Sequence, residues 1–321
     1  MSDDAALTGP RRVALLLCDT TPEFIAALDA WFEPLRLDIP TALHRAATGG
    51  CADVRIVITN AARGVPSSLI EALPALSLIL SLGIGTDRID ASVARARGIT
   101  VANTPVDSGD SVADLAMALM LGLWRSVSAA DGIVRKGAWL EQRLPLGRTL
   151  RGEVCGIAGL GRIGRAVADR AAAFGMEIAY WGPRAKPQVS WRYHPDLCAL
   201  AAAADILVLT MPALPDTVGI VDASILDALG PRGVLVNVAR GQLVDEPALI
   251  RALQERRIAG AGLDVFATEP VDPGLFASLD NVLLTPHIGA ATEENFANIF
   301  AAGLAVVEAF AVKDRTSRPV S

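Results

Sequence analysis

The chain is short of the residues that would mark a disulfide scaffold, a zinc module or a nucleic-acid binder. Its 321 residues hold four cysteines, Cys18, Cys51, Cys155 and Cys198, and no two stand at C-x-x-C spacing. They read as reduced thiols of a cytoplasmic protein, and no metal site is expected. Lysine and arginine (29) are outnumbered by aspartate and glutamate (35), and no run of five basic residues occurs. A net charge of -6 argues against nucleic acid as a partner. No apolar run approaches the ~20 residues of a membrane span. The stretch LAMALMLGLW (115–124) is shorter, follows Asp114 and reads as a buried helix. The opening MSDDAALTGPRR is polar and acidic, without the basic start and apolar core of a signal peptide. No membrane partner is expected.

What is present is a core-forming composition, 52% apolar and 20% charged, long enough for two domains of ordinary size. Short apolar runs alternate with helical patterns. VALLLCD (13–19), VRIVITN (54–60), LSLILSLGIG (76–85) and ITVANTP (99–105) read as strands; TPEFIAALDAWF (21–32) and SSLIEAL (67–73) read as helices. Residues 111–137 read as one long helix or two, mostly buried because they carry more apolar residues than one amphipathic face needs. A second strand–helix series starts at VCGIAGL (154–160). It continues through EIAYWG, DILVLTMP, GVLVNVA and GAGLDVF to VLLTPH (282–287), and NFANIFAAGLAVVEAF closes the chain as a helix. Such alternation implies α/β architecture with parallel sheets, here repeated in two unequal halves.

GIAGLGRIG (156–164) places Gly159-x-Gly161-x-x-Gly164 after an apolar strand and before a helical pattern. That context is what a dinucleotide-binding turn requires: a tight turn, a bare backbone for the pyrophosphate, and close helix–strand packing. Gly159, Leu160, Gly161, Arg162 and Ile163 are therefore candidate cofactor contacts. An acid is expected at the end of the next strand, where it would hold the adenosine ribose. It is missing; Gly182, Pro183, Arg184 and Lys186 stand there instead. Two cations and no acid point to NADP(H) over NAD(H), which remains usable, because arginine can grip a 2′-phosphate.

The chain has three histidines, and one, His287, lies in LLTPHIG (283–289). Taken singly, His287 reads as a core histidine, Glu269 of ATEP as a solvated acid and Arg240 of VNVARGQ as a surface arginine. Each, however, follows an apolar strand-like run in the second half, so all three could face one crevice at the strand ends.

These motifs together, GLGRIG, ADILVLTMPALPDT, ALGPRGVLVNVARGQLVDEPAL, GAGLDVFATEP and LLTPHIG, resemble the D-isomer-specific 2-hydroxyacid dehydrogenases. The glyoxylate/hydroxypyruvate and hydroxyphenylpyruvate reductase branch is the nearest. The resemblance runs from about VRIVITN to the C-terminal helix. It implies two doubly wound domains: a Rossmann-type cofactor domain (103–287) inserted into a flavodoxin-like substrate domain (1–102 plus 288–321), hinged near Asn103 and Pro286. It further implies that His287 protonates the keto oxygen, Glu269 holds the imidazole, and Arg240 binds the substrate carboxylate. Leu82, Gly83 and Ile84 would offer backbone N–H groups to the same carboxylate. Asp264 would contact the nicotinamide carboxamide, with Val238 and Ala239 lining its pocket; Thr210, Pro212, Thr217 and Gly289 complete the implied cofactor site. The family usually dimerises through the cofactor domain, so a homodimer is expected, and Trp139 is either a packing residue or one that reaches a partner's site. The expected substrate is a small 2-keto acid. Its side-chain pocket would be built by N-terminal loops around Asn60, Ala61 and Arg63, which leave glyoxylate, hydroxypyruvate and aryl pyruvates open. A dinucleotide-sensing, corepressor-like protein on the same fold is the alternative. A formate dehydrogenase is disfavoured because that group carries glutamine where Glu269 stands.

Overall fold

The computed structural model describes residues 12–316. The opening segment up to residue 11, and with it the expectation that it is no signal peptide, lies outside the described residues. The chain forms two compact units, one running to Asp107 and resuming at Thr292, the other spanning Ser108–Ala291.

The first unit alternates β1 (Val13–Leu16), α1 (Pro22–Asp29), β2 (Glu33–Arg36), α2 (Ile39–Ala47), β3 (Val54–Asn60), α3 (Ser67–Ala72), β4 (Leu78–Leu82), α4 (Ala91–Ala96) and β5 (Thr100–Asn103). All strand pairs are parallel, in the order β2-β1-β3-β4-β5. The two-residue period of a strand sends Leu15, Val57 and Ile79 to one face, against α2, α3 and α4. Leu16, Ile58 and Leu80 go to the other, against α1. α1 starts where the Thr-Pro pair sets it: Thr21 accepts the N–H of Phe24 at 3.2 Å and Pro22 occupies the first turn.

The second unit opens with α5 (Gly109–Trp124) and α6 (Val127–Arg135), bent by 63° where Ser126 takes a positive φ. Then follow β6 (Val154–Ala158), α7 (Arg162–Ala173), β7 (Glu177–Trp181), β8 (Arg192–His194), α8 (Leu197–Ala203), β9 (Ile206–Leu209), α9 (Ala223–Leu229), β10 (Val234–Asn237), α10 (Glu246–Gln254), β11 (Gly260–Leu263) and β12 (Val282–Leu284). Seven parallel strands run in the order β12-β11-β10-β9-β6-β7-β8. The winding reverses between β6 and β9, the place where doubly wound sheets open a ligand crevice. α11 (Glu293–Thr316) returns to the first unit, where Val307 and Ala311 are buried with α1, β1, β3 and β4.

The structure corrects two sequence readings. α5 is half core, but α6 buries no residue; Val127 and Val134 face outward and are more than half exposed. And α11, over Glu293–Asp314, is long and apolar enough to cross a membrane by length and composition. Part of that apolar content packs on the first unit's core through Ile299, Phe300, Leu304, Val307 and Phe310. Burial pushes the Cys18 and Cys155 thiols up to about 12, far from thiolate chemistry at neutral pH.

Candidate active site

β10, β11 and β12 are neighbours and parallel, so their C-terminal ends share one edge of the sheet. Each end releases one of the three candidate groups. At the end of β10, buried Asn237 organises the turn: its side-chain amide donates to the Arg240 carbonyl at 2.9 Å and its oxygen accepts the Ala239 N–H at 3.0 Å. Val238 and Ala239 are buried in this turn, and Arg240, half-buried, donates from Nη1 to the Ala239 carbonyl at 2.8 Å. Gly241 lies so close to the loop after β11 that an added Cβ would sit 1.9 Å from the backbone of Phe266.

That loop carries Glu269. Its Oε1 accepts the Phe266 N–H at 3.1 Å, and its Oε2 lies 3.0 Å from Nδ1 of His287. The imidazole and carboxylate are 33% and 15% exposed, so the pair is shielded from water on the glutamate side. Because a carboxylate accepts, the contact makes Nδ1–H the donor to Glu269 and leaves Nε2 outside this hydrogen bond. His287 itself has φ +56°, a left-handed conformation uncommon outside glycine. Its N–H donates to the Asp264 carbonyl at 2.8 Å. The buried Asp264 carboxylate accepts from Thr285 Oγ1 (2.6 Å), Ile288 N (2.8 Å) and Gly289 N (2.9 Å). Asp264 therefore fastens the histidine turn.

The glycine-rich turn sits at the winding reversal. Gly159 has φ +99°, and a Cβ on Gly164 would lie 2.2 Å from the Gly159 carbonyl oxygen, so α7 approaches β6 as only glycine permits. A Cβ on Gly161 would meet nothing within 4 Å. That open side, at the N-terminus of α7 and next in sequence to Leu160, Arg162 and Ile163, fits a pyrophosphate, which the positive end of a helix favours. Thr210 bonds the Gly159 carbonyl at 2.7 Å. Thr217 folds the turn after β9, accepting the Leu214 N–H at 2.7 Å and donating to the Pro212 carbonyl at 3.1 Å. At the end of β7, Gly182 is open to an added Cβ, Pro183 and Arg184 are exposed and Lys186 is partly so.

Leu82, Gly83 and Ile84 belong to the first unit. Ser81 donates to the Gly85 carbonyl, Asn103 to the Ile84 carbonyl, and the Gly83 N–H donates to Thr104 Oγ1 at 2.6 Å. Of the three amides expected to face a carboxylate, the one on Gly83 is thus engaged by Thr104. Asn237, Thr285 and Thr104 hold these loops and were not among the sequence candidates. The visible signal is a lone polar residue at the end of an apolar strand.

Comparisons with known proteins show the family. Residues 117–289 match the model for the D-isomer specific 2-hydroxyacid dehydrogenase, NAD binding domain. The chain is 48% identical to the 2-ketogluconate reductase of Gluconobacter oxydans over 75% of this chain and 78% of that relative. It is 40% identical to the hydroxyphenylpyruvate reductase of Plectranthus scutellarioides over 87% of this chain and 90% of that one. Among solved structures, an NADPH-dependent glyoxylate/hydroxypyruvate reductase from Sinorhizobium meliloti, in complex with NADP and malonate, superposes with a TM-score of 0.83. It is 38% identical and the match covers 94% of both chains. With an NAD-binding unit that carries the glycine turn and the His287–Glu269 pair on one sheet edge, the chain belongs to the D-isomer-specific 2-hydroxyacid dehydrogenase family.

Proposed function

We propose that the protein reduces small 2-keto acids to D-2-hydroxy acids, with NADPH preferred to NADH. The observation that carries the chemistry is the 3.0 Å contact between His287 Nδ1 and Glu269 Oε2 at the strand edge that also releases Arg240. A nicotinamide cofactor held on the glycine turn would supply the hydride. Reduction leaves negative charge on the former keto oxygen, which needs a proton and nearby positive charge. His287 Nε2 donates that proton, Glu269 stabilises the charged ring, and Arg240 pairs with the substrate carboxylate through its planar fork. In the oxidative direction the neutral ring takes the proton back.

The NADPH preference rests on the β7 end. No acid is present to repel a 2′-phosphate, the space beside Gly182 is open, and Arg184 and Lys186 flank it. One charge-assisted contact is worth ~1.5–3 kcal/mol, a preference of ~10–100-fold. The partner macromolecule is a second copy of the chain. Val127, Val134, Trp139, Leu140 and Leu146 are all more than half exposed on one segment, beside a cavity of about 570 Å³ lined by Ile133 and Leu144. Exposed apolar groups concentrated in this way mark an interface.

The test is kcat/KM for glyoxylate, hydroxypyruvate, 2-ketogluconate and 4-hydroxyphenylpyruvate with each reduced cofactor. Turnover of at least one keto acid, faster with NADPH, is expected. No turnover of any would leave a dinucleotide-binding protein without catalysis, and a preference for NADH would return Arg184 and Lys186 to a solvated loop.

A further inference from the structure

The chain contains two tyrosines, Tyr180 and Tyr193, and both serve the same short loop. They stand opposite each other on neighbouring strands β7 and β8, with ring centroids 5.4 Å apart. Tyr180 is buried, and its hydroxyl accepts the N–H of Lys186 at 2.7 Å. Tyr193 donates its hydroxyl to the carbonyl of Gly182 at 3.2 Å. The two bonds therefore grip both ends of the segment from Gly182 to Lys186. Phenylalanine would fill the same space in either strand. Only the hydroxyl needs a polar partner, and each finds it in the backbone of this loop.

We propose that Tyr180 and Tyr193 are positioning residues that set the enzyme's cofactor specificity. They hold the loop in the form in which Arg184 and Lys186 meet a 2′-phosphate. This rests on the NADPH reading above. Arg184 is exposed at the middle of a surface loop. Left untethered, that loop would pay its ordering entropy when the cofactor binds; tethered, it has already done so. NADH carries no 2′-phosphate and draws no benefit from the placement of the two cations. The tyrosines thus act on the difference between the cofactors rather than on hydride transfer.

The test uses the full chain with Tyr180→Phe, Tyr193→Phe and both together. Each variant is assayed for KM and kcat with both cofactors. Without cofactor, each is also assayed for the rate of tryptic cleavage after Arg184, which reads loop order directly. KM for NADPH should rise about 3–10-fold per variant, the size of one net hydrogen bond. KM for NADH and both kcat values should hold, and cleavage after Arg184 should accelerate. An equal rise for both cofactors would assign the tyrosines to general packing and overturn the proposal. So would unchanged discrimination in variants of a wild type that prefers NADPH. A wild type that prefers NADH would overturn the NADPH reading itself, and the specificity role with it.

Discussion

His287 occupies a backbone conformation that costs a non-glycine residue roughly 1–2 kcal/mol. The turn is overdetermined around it: the Asp264 carbonyl and carboxylate together take three consecutive N–H groups, from His287, Ile288 and Gly289. Strain held in this way aims the ring at a fixed point instead of leaving it to rotate with a loose loop. Glu269 then fixes the ring's tautomer. Arg240 differs in kind, because its proposed role uses the shape of the guanidinium. Arg240→Lys keeps the charge and loses the fork. The variant should raise KM for the keto acid and lower kcat, cutting kcat/KM by ~10–100-fold, as expected for loss of a charge-assisted bond. Steady-state kinetics check this, and an unchanged kcat/KM would remove Arg240 from the site.

At the scale of elements, the site is the common edge of β10, β11 and β12, and its tolerance is set where two of their loops touch. Gly241→Ala would force a Cβ into the backbone of Phe266, with nothing flexible to give way. Overpacking of this sort costs ~1–3 kcal/mol. Urea unfolding should show that loss, and kcat/KM should fall with it as the Arg240 and Glu269 loops separate. A variant of wild-type stability and activity would mean that the two loops are not in register. Both strand–helix series are readable in the sequence because their strands are buried on two faces and appear as apolar runs. β2 (EPLR) and β8 (RYH) are not readable: they are short sheet edges with exposed residues and no run to follow. The bend between α5 and α6 is equally silent, since Ser126 carries no glycine or proline signal. In the site, His287 and Glu269 stand out as polar groups after apolar runs, but 18 residues separate them. Their pairing is legible only through family resemblance. The loop-holding roles of Asn237 and Asp264 emerge only once the strands are placed side by side.

At the scale of the whole molecule, each unit has its own two-faced sheet and core. The segment through Trp139 and Leu140 gathers several strongly exposed apolar side chains in one stretch of chain. If a second copy covers it, light scattering should give twice the 33.5 kDa chain mass, and Leu140→Asp with Val134→Asp should give the single mass. A wild-type monomer would refute the pairing. The account as a whole stands on one proton donor, and the most direct measurement is kcat for keto-acid reduction by His287→Ala, with cofactor affinity measured alongside. A fall of ~10²–10⁴ with cofactor affinity little changed is predicted; near-normal kcat would contradict the account.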